Sequence, residues 1–203
     1  MADIARITSE TPTIAPGMRV LVIGLGRCGG GVGVTRWLAA RGARVTVTDL
    51  ADAASLDASV AAIADLDVAF HLGGHDMRDL DDADLVVVNP AVDKRRSSFF
   101  HAVRRKGVPW TTEINLFCAR CPGIVIGVTG TYGKSTTCAM LAMVLRRWVD
   151  TGRAPWGAAH LGGNIGVSLL AALPGIRPGD PVVLELSNAQ LEDLPRIQWA
   201  PPI

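Results

Sequence analysis

Val20-Leu21-Val22-Ile23-Gly24-Leu25-Gly26-Arg27-Cys28-Gly29 is a short apolar run that breaks into a glycine-rich turn. The run reads as a buried strand, and Val32–Arg41 after the turn reads as a helix that Gly42 terminates. Val45-Thr46-Val47-Thr48 follows as a second strand ending at Asp49, twenty residues beyond Gly29. Strand, Gly-x-Gly-x-x-Gly, helix, strand and acid in this order form the dinucleotide fingerprint in its required context. Its glycines permit a tight turn and the close approach of a pyrophosphate to a helix N-terminus. The acid can take a ribose hydroxyl. On these residues alone three readings stand: an NAD site, another nucleoside diphosphate held the same way, or a turn needed only for packing.

The pattern continues outward. Ser55–Ala64 is alanine-rich and reads as a helix, Val68-Ala69-Phe70 and Leu85-Val86-Val87-Val88 as strands, and Ser97–Lys106 as a helix stopped by Gly107. Alternation of this kind predicts a parallel α/β sheet. At Cys121-Pro122-Gly123 a new strand-loop-helix unit begins. The expected division is therefore a Rossmann-like domain over 1–121 and a second α/β domain over 122–203. Ile124–Val128 is the new strand. Lys134–Val149 is a nearly all-apolar helix expected to be buried, residues 150–163 read as a loop, and Val182–Leu186 is a second strand. Two strands are fewer than a parallel sheet around a phosphate loop ordinarily needs, so the second domain reads as incomplete and the chain as truncated.

Composition narrows the function classes. The 203 residues are 49% hydrophobic, with mean hydropathy +0.29, enough for a packed core. Twenty basic and 19 acidic residues leave a net charge of +1, which provides no field for nucleic acid or an anionic membrane. No apolar run has the length of a membrane span, and the first ten residues lack a signal-peptide core, so a cytoplasmic protein is expected. Cys118-Ala-Arg-Cys121 has metal or redox spacing but no second pair, and is read as ordinary buried thiols. His71 and His75 are four apart but separated by Gly73-Gly74, which argues against a helical metal pair.

Gly127-Val128-Thr129-Gly130-Thr131-Tyr132-Gly133-Lys134-Ser135-Thr136 carries a second nucleotide signal. The lysine places an ammonium on β- and γ-phosphates, a hydroxyl at 135 or 136 can reach Mg2+, and the amides of 130–135 can face an anion. The strict spacing asks for glycine at 128, where this chain has valine. A dehydrogenase has no use for a triphosphate loop. An ATP-using enzyme with a second nucleotide site is therefore favoured over an NAD(P)-dependent oxidoreductase. A nucleotide-binding module without catalysis is the remaining alternative.

The loop Gly-Thr-x-Gly-Lys-Ser-Thr resembles that of the Mur ligases, which build the peptide stem of cell-wall precursors. So do the Gly-Leu-Gly turn, His-Leu-Gly-Gly-His at 71–75, Leu85–Val92 and Thr112–Phe117. Gly162-Gly163-Asn164-Ile165-Gly166 and Glu185-Leu186-Ser187-x-x-Gln190-Leu191-Glu192 complete the set, in the family's order. The last motif resembles the D-glutamate-adding branch. The resemblance implies an amide-forming ligase that uses ATP and Mg2+ to join D-glutamate to UDP-N-acetylmuramoyl-L-alanine. It implies Gly130, Thr131, Gly133, Lys134, Ser135 and Thr136 around ATP, with Lys134 and Glu185 catalytic and Ser135 and Glu185 on magnesium. Gly26, Arg27, Asp49, Asn89, Pro90 and Asn164 would contact the substrate. The chain departs from the family at Tyr132, at Asn89-Pro90-Ala91 and at Asn188-Ala189.

Overall fold

A computed structural model describes residues 12–166 and 168–194. Two compact units are present, Thr13–Glu113 and a second that begins at Ile114. Both are parallel α/β sheets, as the alternation of elements requires.

In the first unit five parallel strands take the order β3-β2-β1-β4-β5. They are β1 (Arg19–Ile23), β2 (Arg44–Asp49), β3 (Val68–Leu72), β4 (Leu85–Val88) and β5 (Trp110–Thr111). Every residue of β4 is buried, as are Val20–Ile23 of β1, which is why these two central strands read as unbroken apolar runs. Helix α1 (Gly30–Ala39) packs on β1 and β2 through Val34, Trp37 and Leu38. On one face Leu21, Ile23, Val86 and Val88 meet Phe99, Phe100 and Val103 of α3 (Ser98–Lys106). Ser97 caps α3 by accepting from the Phe100 amide at 3.1 Å, and Gly107 ends it in the left-handed region at φ 69°. The helix expected over Ser55–Ala64 is shorter: α2 spans only Asp57–Ala61, and the flanking residues are turns.

In the second unit the sheet order is β6-β8-β7, all parallel, from β6 (Ile124–Val128), β7 (His160–Gly163) and β8 (Pro181–Glu185). β7 corrects the expectation of a loop through residue 163. It is an edge strand with two glycines, and propensity does not favour it. Pairing does: His160–Gly163 lie in register with Val182–Glu185 of the buried β8. The buried carboxylate of Asp180 fixes the approach to β7, accepting from the amides of Gly157 at 3.1 Å and Ala158 at 3.3 Å.

Helix α5 (Lys134–Asp150) starts where expected but is not buried all round. Cys138, Ala142 and Leu145 pack with Val183 and Ala159, while Met140, Met143 and Val144 are 58%, 64% and 60% exposed. An apolar composition does not by itself cover every face of a helix; here the three-stranded sheet takes one stripe.

The described residues of this unit also form two short α-helices, α4 (Glu113–Cys118) and α6 (Asn188–Asp193). The Asn115 side-chain amide donates to the Asp193 carbonyl at 3.0 Å, so α4 packs within the second unit. The division between units therefore falls at Glu113/Ile114, ahead of the Cys121-Pro122-Gly123 turn. No helix among the described residues is long and apolar enough to cross a membrane.

Candidate functional sites

The first site is a cavity of about 590 Å3 at the C-terminal ends of β1, β2 and β4. Gly24 leaves β1 at φ 88°, and a Cβ there would sit 2.8 Å from the Asn89 Cβ, so the turn and the end of β4 can meet only at glycine. Asn89 ties them together: its Nδ2 donates to the Gly24 carbonyl at 3.1 Å, and its Oδ1 accepts from the Ala91 amide at 2.9 Å. Asp49 closes β2, accepting from the Gly26 amide at 3.1 Å and the Ala51 amide at 2.9 Å. Gly26, Asp49 and Asn89 thus line one cavity. Arg27 and Pro90 are not among its lining residues, and the Arg27 guanidinium instead donates to the Ser55 carbonyl at 3.0 Å.

Two features here escape the sequence pattern. The tight helix-to-turn packing falls on Gly31, whose Cβ would stand 2.1 Å from the Leu25 carbonyl oxygen. Gly29 instead adopts φ 81° and caps α1. The second is an aromatic pair: His75 and Phe99 both line the cavity, stacked at 4.5 Å with an interplanar angle of 21°. The Gly73-Gly74 turn that delivers His75 was visible as a turn, but nothing in the spacing placed it beside α3.

The second site gathers at the C-terminal ends of β6, β8 and β7, where Val128, Glu185 and Gly163 are register partners. The loop runs from Val128 through Gly130 (φ 146°) to Gly133 (φ 76°), the N-cap of α5. No acidic residue occupies the first turn of α5, and its first helical bond is from the Thr137 amide to the Gly133 carbonyl. The amides of Lys134, Ser135 and Thr136 have no intrahelical acceptor, the arrangement that binds phosphate. Lys134 Nζ donates to the Gly130 carbonyl at 2.9 Å, which holds the ammonium over the loop; Thr131 and Ser135 are exposed.

Glu185 is only 3% exposed. Its Oε1 accepts from Asn164 Nδ2 at 3.0 Å, while Oε2 is buried without a partner among the described residues. Burying a carboxylate oxygen unpaired is costly, and a metal cation is one of few groups that offset it. The Asn164 amide also donates to the Glu185 carbonyl at 2.9 Å, and Gly163 must be glycine because a Cβ would lie 2.4 Å from that same carbonyl oxygen. Asn164 and Glu185 are therefore one unit.

Burial pushes the nearby Cys138 thiol up, and the Glu185 charge adds to that shift. Ser187 and Gln190 form a capping box on α6, so these two motif residues have a structural duty. Among the described residues no group of three or more His, Cys, Asp or Glu side chains is arranged around a metal position; Cys118 is buried and Cys121 partly so.

Residues 18–111 match the Mur ligase MurD-like N-terminal domain. The UDP-N-acetylmuramoylalanine–D-glutamate ligase of Roseiflexus sp. (strain RS-1) is 44% identical over 188 residues, which is 92% of this chain and 38% of that protein. The protein of the same name from Anaeromyxobacter dehalogenans (strain 2CP-C) is 39% identical over 90% of this chain and 37% of its own length. The chain thus spans well under half the length of the curated relatives it matches. The crystal structure of a murein peptide ligase from Psychrobacter arcticus 273-4 superposes with a TM-score of 0.50 at 21% identity, covering 88% of this chain and 40% of that one, a likeness of fold. By family match and by its relatives, the first unit of this chain is a MurD-like N-terminal domain of the Mur ligase family.

Proposed function

We propose that this chain supplies the uridine-nucleotide and ATP phosphate sites of a ligase that joins D-glutamate to UDP-N-acetylmuramoyl-L-alanine in the cytoplasm. The observation that carries this reading is Glu185. A carboxylate oxygen buried without a partner among the described residues, at the strand end beside a lysine-bearing phosphate loop, fits a cation that accompanies a triphosphate.

In this reading the amides of residues 133–136 and the Lys134 ammonium hold the β- and γ-phosphates. Ser135 and Glu185 would hold Mg2+, which when bound neutralises phosphate charge. Lys134 stabilises the negative charge on the phosphoryl group as it passes to the L-alanine carboxylate, giving an acyl phosphate and ADP. The amine of D-glutamate then attacks the acyl carbon, phosphate leaves, and an amide remains. Such chemistry depends on positioning and charge, which rigid strand ends and loop amides supply. Asn164, fixed by Glu185, would face the substrate. Gly26, Asp49 and Asn89 would border the uridine diphosphate, with Arg27 and Pro90 beside the same turn.

Ligand-induced thermal shifts test the assignment. UDP-N-acetylmuramoyl-L-alanine and Mg2+–ATP should each raise the melting temperature, by the equivalent of about 2.7 kcal/mol at a hundredfold excess over Kd. Lys134→Ala should abolish the ATP shift and leave the uridine one. A shift with NAD and none with the uridine nucleotide would overturn the proposal in favour of an oxidoreductase.

A further inference from the structure

The cavity of the first unit contains a polar atom that the nucleotide reading leaves without a role. His75 is half-buried, stacked on Phe99, and its Nδ1 lies 2.8 Å from Thr48 Oγ1. Thr48 is fully buried, and the same Oγ1 lies 3.2 Å from the Gly74 carbonyl oxygen. A carbonyl oxygen can only accept, and a hydroxyl has one proton. Both contacts are satisfied together only if Thr48 donates to Gly74 and His75 Nδ1–H donates to Thr48. The reverse assignment leaves two lone-pair oxygens facing each other without a proton, inside the protein. The network therefore places a proton on Nδ1, and in the neutral ring this leaves Nε2 as a bare acceptor. Burial pushes the imidazole pKa down, favouring the neutral ring, against the opposing pull of the Asp49 and Asp79 carboxylates.

Nε2 has no protein partner among the described residues and is not sealed from solvent. Other polar groups lining the cavity already make hydrogen bonds within the protein. Asn89 uses its amide in both directions, Ser97 Oγ accepts from Phe100, and each oxygen of Asp49 already takes a backbone amide. The ring is held on three sides, by Phe99 at its face, Thr48 at Nδ1 and the Gly73-Gly74 turn behind it, so Nε2 presents one direction of hydrogen bonding. A positioned acceptor of this kind discriminates between ligands that offer N–H and ligands that offer a lone pair.

We propose that His75 is a specificity-determining residue whose Nε2 lone pair accepts the imide N–H of the nucleobase, selecting uracil over cytosine. This rests on the uridine reading of the site. Uracil carries a hydrogen at ring nitrogen 3, whereas cytosine carries a lone pair there, so the wrong base sets two acceptors against each other.

The test compares UDP with CDP by calorimetry on the 203-residue chain at neutral pH. The wild type should bind UDP roughly tenfold or more tightly than CDP, the discrimination expected of one well-placed hydrogen bond. In His75→Asn the side-chain amide can replace Nδ1 toward Thr48 but leaves nothing at the Nε2 position, so the ratio should collapse toward one. In His75→Gln the side-chain oxygen can reach the Nε2 position, so much of the ratio should return. A residue that serves only to pack would weaken both nucleotides equally and leave the ratio unmoved, and that result overturns the proposal.

Nitrogen-15 spectra of the wild type test it without any variant. An Nδ1–H imidazole whose Nε2 resonance moves on adding UDP is expected; an Nε2–H tautomer, or an Nε2 resonance indifferent to UDP, overturns it. The two levels separate cleanly. UDP binding without discrimination or without dependence on His75 removes only the role of His75, whereas failure of UDP to bind at all removes the uridine reading and this inference together.

Discussion

Glu185 faces two demands at once, one at each carboxylate oxygen. It holds Asn164 through Oε1, and it keeps Oε2 buried without a partner among the described residues. Glu185→Gln preserves a side-chain oxygen for Asn164 and removes a buried charge. The variant should thus be as stable as the wild type or more stable by about 1–2 kcal/mol, since an unsatisfied buried charged group costs at least that much. It should at the same time lose any stabilisation by Mg2+–ATP. A melt with and without the nucleotide reads both, and a Gln variant that is destabilised while still responding to Mg2+–ATP would refute the cation role. Glu185 was legible as a candidate because it opens the Glu185-Leu186-Ser187 motif that resembles the family's, a pattern visible in one dimension. Gly31 and His75 were not. The demand on Gly31 comes from the Leu25 carbonyl approaching the helix, and that on His75 from a ring on another element. Neither approach leaves a periodic trace in the sequence.

At the scale of elements, strands buried on both faces declared themselves, since β1, β4 and β8 are continuous apolar runs. Elements that exist because of their neighbours did not. β7 has two glycines and depends on its register with β8, and β5 is two residues paired to β4. The burial of α5 was over-read for the same reason: composition reports what a helix could bury, and packing decides what it does bury. This contrast has a measurable form. Leu145, 9% exposed, packs with Ala142 and Val183, so Leu145→Ala should cost about 2–4 kcal/mol in chemical denaturation. Met143, 64% exposed two residues earlier, should cost no more than about 0.5 kcal/mol when changed to Ala. Equal costs at the two positions would mean that α5 is covered on the Met143 face in solution.

Over the whole chain, the α/β class and the presence of two parallel sheets were readable from alternation alone, but the boundary was misplaced by a helix. Cys121-Pro122-Gly123 is the most conspicuous break in the sequence, and the contacts divide at Glu113/Ile114 instead. The reason is α4. Ile114, Leu116 and Phe117 are each at most 2% exposed, and Asn115 is bonded to Asp193, so the helix is core to the second unit despite its position before the break. A fragment of residues 13–113 should accordingly fold, because the five-stranded sheet and its α1 and α3 layers are complete within it. A fragment extended to Cys121 carries three large apolar side chains without their second-unit partners, and should associate or aggregate more readily at equal concentration. Light scattering on the two fragments, paired with UDP calorimetry, decides the point. The shorter fragment should be monodisperse and bind UDP within about twofold of the 203-residue chain, because Gly26, Asp49, His75, Asn89 and Phe99 all lie inside it and a preformed site keeps its affinity when its scaffold is intact. If only the longer fragment folds and binds, α4 belongs energetically to the first sheet and the sequence break marks the true boundary.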